Sequence, residues 1–345
     1  MSISDKDQST LEQCSLKESS LKESALDSYT EIPYKKIKPN INNNLFTLKD
    51  NPIVAIDGAS LISMDIPPKE QLMTPWLPER GIAMIYAPRG VGKTFLALEV
   101  AIAVATGTNF LNWVTSKAGN VLYLDGEMGG SDLQPRIKKL LRGRILEAGR
   151  IKFISPDFQV GPCPDLSLPE WHQHIAPFAQ EADLIIVDNI STICRTGSEN
   201  DAESWQLVQE WAIQQKSAGK AVLFIHHAGK GGQQRGTSKR EDVMDTVMAL
   251  KRPDDYNPKQ GARFVIEFEK ARGFSGDEAE SFIVQLEEHD YGYNWLMDSL
   301  KDSLFKKIIN LAELDMSQKD IAEELEVHKS TVSKNLNRAK NEGLL

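Results

Sequence analysis

Long hydrophobic runs are missing from this chain: no stretch of about 18 consecutive apolar residues occurs, and no apolar segment follows a basic start at the N-terminus. Neither a membrane span nor a secretory leader is expected, so the chain reads as cytoplasmic with no membrane partner. Cysteine is scarce. Cys14, Cys163 and Cys194 are odd in number, widely spaced and free of any C-x-x-C pattern, which argues against a disulfide framework and a thiolate metal site. An excess of positive charge is absent too: 40 Lys and Arg against 49 Asp and Glu leave a net charge of −9. A uniformly basic nucleic-acid coat is excluded, and any such contact must come from a local positive face. What is present is 41% apolar residues over 345 positions, enough for a real core and, at roughly 150 residues per domain, for two domains and a tail.

Residues 1–45 are rich in Ser, Lys, Glu and Asn and contain the pentapeptide SLKES twice in succession, so they are expected to form a mobile tail without a core. The turn-rich stretch 65–81 leads into IAMIYA (82–87), whose lack of alternation suits a parallel strand buried on both faces. Further strand-like runs are NVLYLD (120–125), IKFI (151–154), LIIVD (184–188) and AVLFIHH (221–227), separated by helical stretches such as DAESWQLVQEWAIQQKSAG. This alternation predicts an α/β fold with a mostly parallel twisted sheet over residues 46–292. DTVMAL and RFVIEFEKAR have no long helix between them, so the sheet is expected to finish with antiparallel strands and the core domain to end near Gly292. Beyond it the pattern is helical, which predicts a small all-α domain at 299–345.

The segment APRGVGKTF (87–95) follows a buried strand and opens an Ala-rich apolar helix that stops at Gly107. It departs from the phosphate-loop pattern G-x-x-x-x-G-K-[ST] only at its first slot, where Ala87 stands. The bare backbone at Gly90 and Gly92 matters more, because it lets N–H groups and a helix N-terminus face phosphates. Pro88, Arg89, Gly90, Val91, Gly92, Lys93, Thr94 and Phe95 are the expected ATP-binding set, with Lys93 on the β and γ phosphates and the Thr94 hydroxyl on Mg²⁺. Asp188, at the end of LIIVD, is the second expected Mg²⁺ residue, although Asp is also a common strand-end cap. Because Asn189 follows it, the base that activates water must lie elsewhere. Glu127, just past the strand NVLYLD, is preferred over Asp125, which sits nearer the strand body and is suited to fixing the turn at Gly126.

With APRGVGKTFLAL, LYLDGEMGGSDLQPRI, LIIVDNISTI, SEND, FIHHAGKGG with RGTS, and DTVMALKR in place, the sequence resembles the RecA-type motor ATPases. Within them it looks like the RepA-like hexameric replicative helicases of plasmids and, more distantly, the DnaB-type helicases. The likeness spans about 53–285. It implies a RecA-like P-loop core, ATP and Mg²⁺ as ligands, a homo-oligomer that is a hexamer in that family, and single-stranded DNA as partner. The spacing from Glu127 to Arg136 is similar to the Glu-Met…Arg segment of DnaB-type proteins and supports Glu127 as catalytic. The resemblance also places a γ-phosphate sensor at His226 or His227. Two adjacent residues of a strand cannot face the same way, so one should point at the site and the other pack away. KAR (270–272) looks like the Lys-x-Arg pair of DnaB-type helicases, which makes Lys270 and Arg272 candidates to act on a neighbouring subunit's phosphates. RepA-like proteins carry an arginine further upstream, where this sequence has Asp245.

Two DNA-facing stretches are expected. Residues 230–240 carry Lys230, Arg235, Lys239 and Arg240 and no acid or aromatic, which suits sequence-independent tracking of a phosphate chain. Near the C-terminus, Ile321, Ala322, Leu325, Val327, Val332 and Leu336 are spaced for two short helices around a tight turn, with Ser317 as N-cap. This resembles a helix-turn-helix whose second helix starts near Lys329 and exposes Lys329, Ser330, Thr331, Lys334, Asn335 and Arg338. An ATPase without helicase activity, in which nucleotide switches assembly on DNA for transcription, partition or transposition, remains the alternative.

Overall fold

The computed structural model describes residues 54–195, 202–229 and 241–345, with the backbone alone at 202–204. The chain divides into two compact units, Met1–Pro68 and Lys69–Leu345. In the first, the short helix α1 (Gly58–Ser63) is capped by Asp57, whose Oδ1 accepts from the amides of Ala59 (3.0 Å) and Ser60 (3.1 Å). None of its residues is buried.

The second unit opens with a two-stranded hairpin, β1 (Gln71–Met73) and β2 (Leu77–Pro78). There follow β3 (Ile82–Ala87), α2 (Lys93–Thr106), β4 (Val121–Asp125), α3 (Gly130–Leu141), β5 (Ile151–Ile154), α4 (Pro169–Glu181) and β6 (Leu184–Asp188). Then come α5 (Ile190–Ile193), α6 (Ala202–Ser217), β7 (Ala221–His227), β8 (Thr246–Lys251), β9 (Arg263–Ala271), β10 (Phe282–His289) and β11 (Gly292–Ser299). The nine strands β3–β11 form one sheet in the order β11-β10-β9-β8-β3-β7-β6-β4-β5. From β8 across to β5 every pairing is parallel, while β9, β10 and β11 are added antiparallel.

The parallel strands lack alternation because both faces are covered. Ala83, Ile85 and Ala87 pack with α2 and α3, whereas Ile82, Met84 and Tyr86 pack with α4, α5 and α6. Helix α2 is buried along nearly its whole length and ends at Gly107, whose left-handed φ of 66° only glycine adopts freely.

The sheet runs past Gly292, where the core domain was expected to end, through β11 to Ser299. β10 and β11 pair residue for residue, and β11 places Trp295 opposite Leu286. Their short alternations, interrupted by Glu, His and Asp, are weak strand signals until a partner buries one face. This hairpin is fastened to the body by a buried charge. Glu99 of α2 is fully enclosed, with Arg144 Nη2 at 2.6 Å, Arg142 Nη2 at 3.7 Å and Trp295 Nε1 donating at 3.2 Å.

Three further helices follow: α7 (Leu300–Glu313), α8 (Gln318–Glu324) and α9 (Lys329–Asn341). They share a small core of Ile308, Ile321, Ala322, Val332 and Leu336. Ser317 caps α8 by accepting from the Asp320 amide at 3.2 Å, and α9 begins at Lys329. Among the described residues, no helix is long and apolar enough to cross a membrane.

Candidate active site

The phosphate loop joins the end of β3 to the start of α2, at the carboxyl ends of the parallel strands. Ala87, in the slot where the motif has glycine, is the last residue of β3, paired with His227 and lacking a positive φ. Extended backbone accepts alanine without strain. The positive φ values fall instead at Gly90 (74°) and Gly92 (127°). A Cβ at Gly92 would meet Ala262 Cβ at 2.9 Å and Phe264 Cε1 at 3.0 Å, so the start of β9 presses directly on the loop.

Lys93 is 6% exposed and its Nζ donates to the carbonyls of Ala87 (2.9 Å) and Pro88 (3.0 Å). Burial lowers its ammonium to about 8, against the pull of Asp188 and Glu127. Asp188 closes β6, is 3% exposed, and accepts from Tyr123 Oη at 2.7 Å and from the Thr94 hydroxyl. Burial pushes its carboxyl up to about 6, with Asp125 and Glu127 adding to the rise. An enclosed carboxylate facing a Thr hydroxyl beside a Gly-rich helix N-terminus is the donor set that a Mg²⁺-nucleotide requires.

Asp125 and Glu127 separate clearly. Asp125 Oδ1 accepts from the amides of Glu127 (3.1 Å) and Met128 (3.0 Å), which fixes the turn, and burial raises its carboxyl. Glu127 is carried outward by that turn. Its Oε1 lies 3.2 Å from His227 Nε2, and bonds from His227 and Asn189 hold its carboxyl below the usual range. Asn189 Nδ2 lies 3.2 Å from the same ring nitrogen. Of the two adjacent histidines, His227 therefore reaches Glu127. His226 is wholly buried on the opposite face of β7, alongside Val222 and Phe224, away from the site.

The model of the AAA domain family matches residues 51–233, more than half of the 345. The chain belongs to the AAA domain family. This AAA domain carries a P-loop, and the family implies nucleotide binding. Two solved structures are similar to it in fold. A KaiC-like protein from the archaeon Pyrococcus horikoshii OT3 is 14% identical, with 66% of this chain and 100% of that chain aligned and a TM-score of 0.46. The flagellar accessory protein FlaH from Methanocaldococcus jannaschii is 13% identical, with 64% and 91% aligned and the same TM-score of 0.46.

Other expected site residues are dispersed, beyond the matched AAA domain. Lys270 donates to the carbonyls of Glu241 and Asp242, and Arg272 Nη2 to that of Asp242 at 3.3 Å. Register sets them far from their own phosphate loop: Lys270 pairs with Val247 and Ala271 with Thr246, which in turn lies beside Ala83 at the start of β3. At about 3.3 Å per residue, roughly 13 Å of strand separates that level from Ala87. Asp245, which stands where the resembled helicases carry an arginine, ties β3 to α6. Its Oδ2 accepts from the Ile82 amide (2.9 Å) and from Lys216 (2.7 Å).

Lys230, Arg235, Lys239 and Arg240 lie outside the described residues, as do residues 1–45. On α9, Lys329, Ser330 and Lys334 are exposed and Thr331 is half-buried. Arg338 is half exposed but already engaged within the helical unit. Its guanidinium covers the Phe305 ring at 4.1 Å and pairs with Glu342 (2.8 Å) and Asp302 (3.6 Å), because the end of α9 packs back on α7. Half-buried Asn335 donates back along its own helix to the Thr331 carbonyl at 2.8 Å. One site residue went unseen in the sequence: Arg252, after β8, donates to the Gly90 carbonyl at 2.7 Å. Its only signal was a lone arginine ending DTVMALKR.

Proposed function

We propose that the chain is an ATP-dependent DNA motor of the RepA-like helicase type, hydrolysing ATP between neighbouring copies and moving along single-stranded DNA. In this reading Lys93 bridges the β and γ phosphates, and Thr94 and Asp188 hold Mg²⁺, which supplies charge neutralisation at the transferring phosphoryl group. Glu127 accepts the proton of the attacking water. His227 and Asn189 orient Glu127 and keep it ionised, which a base needs at neutral pH.

The observation that carries the reading is the placement of Lys270 and Arg272. They sit at the end of the sheet opposite their own phosphate loop, so they serve a phosphoryl group only if another copy brings one. Arg272→Ala subunits mixed with Lys93→Ala subunits are therefore expected to regain part of the turnover that each lacks alone. Absence of recovery in proven mixed assemblies removes the trans role.

The deciding experiment is unwinding of a duplex with single-stranded tails. ATP-dependent strand separation, lost in Lys93→Ala, is expected. ATP turnover without strand separation favours the second reading, an ATP-switched DNA-binding protein, which draws on the separate core of α7, α8 and α9. In both readings the exposed start of α9 faces duplex DNA. Lys329→Ala together with Lys334→Ala is expected to weaken duplex binding and reduce the magnitude of the salt slope by about 0.9 per lost phosphate contact, leaving basal ATPase unchanged.

A further inference from the structure

We infer that Arg252 is a positioning residue of the phosphate loop, which aims the Val91 amide at the bound phosphates by pinning the carbonyl on the other side of the same peptide. The inference rests on the nucleotide-site reading above. Arg252 Nη2 donates to the Gly90 carbonyl at 2.7 Å, across 162 residues of sequence. The Gly90 carbonyl and the Val91 N–H belong to one planar trans peptide, so they point in opposite directions. Holding the carbonyl against the β8–β9 connection thus turns the N–H toward the concave side of the loop. Gly90 has a φ of 74° and nothing within 4 Å of where a Cβ would be, so its own surroundings do little to fix this peptide. A cationic partner on the carbonyl also polarises the peptide and strengthens its N–H as a donor.

Arg252 is built for holding rather than for meeting ligand. Its Nη1 donates to the carbonyls of Gly261 (2.9 Å) and Arg263 (2.8 Å), and its guanidinium covers the Tyr256 ring at 3.7 Å. Tyr256 Oη donates to the same Gly261 carbonyl at 3.1 Å. Asp255 is paired with Arg263 at 3.0 Å and with Lys307 at 3.4 Å, so the connection is anchored at several points. The planar fork of arginine spans three carbonyls at fixed angles, which a lysine ammonium does not reproduce.

The test uses the full chain and a fluorescent methylanthraniloyl ADP with Mg²⁺. Arg252→Ala is expected to raise its Kd roughly ten- to a hundred-fold, the value of one oriented donor to a charged group. KM for ATP should rise in step while kcat at saturation stays within about threefold, and Arg252→Lys should fall between the two proteins. An unchanged Kd in a folded Arg252→Ala protein overturns the assignment, as does a fall in kcat with Kd unchanged. A readout independent of any variant is the Val91 amide resonance of the wild-type protein, expected to shift on adding ADP. A resonance that does not respond overturns the role even if Arg252→Ala fails to fold. Wild-type protein that binds no nucleotide overturns the site reading itself, whereas binding by wild type and variant alike overturns only the part assigned to Arg252.

Discussion

Lys93→Ala is expected to abolish nucleotide binding, whereas Glu127→Gln should bind near wild-type levels and turn over about 10²–10⁴ times more slowly. The two side chains lie in one site but have different surroundings. Lys93 is enclosed between the loop carbonyls and the Asp188 carboxylate, so its charge has no purpose there until a phosphate arrives to take its donors. Glu127 stands exposed on its turn, held by His227 and Asn189. Asp125→Asn is the control. The amide oxygen of Asn still accepts from the amides of Glu127 and Met128, so the turn survives and the loss should be smaller than for Glu127→Gln. Equilibrium binding and steady-state ATPase check all three. Equal loss of binding in Lys93→Ala and Glu127→Gln would remove the catalytic role, and a larger loss in Asp125→Asn would transfer it.

Removal of Arg144 is expected to cost about 3–5 kcal/mol of stability, because it strands a carboxylate in the core. Glu99 is fully buried on the helix that starts at the phosphate loop, where burial pushes its carboxyl up and Arg144 and Arg142 pull it down. With Arg144 gone, the remaining partners are Arg142 at 3.7 Å and the Trp295 indole. The double variant Glu99→Gln, Arg144→Leu should be more stable than Arg144→Leu alone, since the neutral amide can still accept from Trp295 and leaves no buried charge. Urea unfolding measures the difference. A cost below about 1 kcal/mol for Arg144→Leu would show that water or Arg142 satisfies the carboxylate.

How much of this was legible in the sequence depended on the range of each interaction. The buried parallel strands, the Gly-rich loop, the capping of α8 by Ser317 and the start of α9 at Lys329 are dictated by neighbours a few residues apart. Apolar runs, φ requirements and caps carry that information locally. The tolerance of Ala87 follows the same logic once the strand is known to end there.

Other features depended on contacts across the sheet. Alternation required one of His226 and His227 to face away, but only the seating of β7 between β3 and β6 turned His227 toward Glu127. Arg338 has the composition of a DNA contact, and only the packing of α9 on α7 brought its half-exposed guanidinium onto Phe305 and Asp302. The level of Lys270 and Arg272 in the sheet was set by register with β8, and the grip of Arg252 on Gly90 by the return of the chain beside β3. By itself the sequence determined which segments become strands, loop and helices, because backbone conformation answers to local sterics and periodicity. Tertiary structure decided which polar groups meet, since those meetings depend on strand order and register, which nearby residues do not encode.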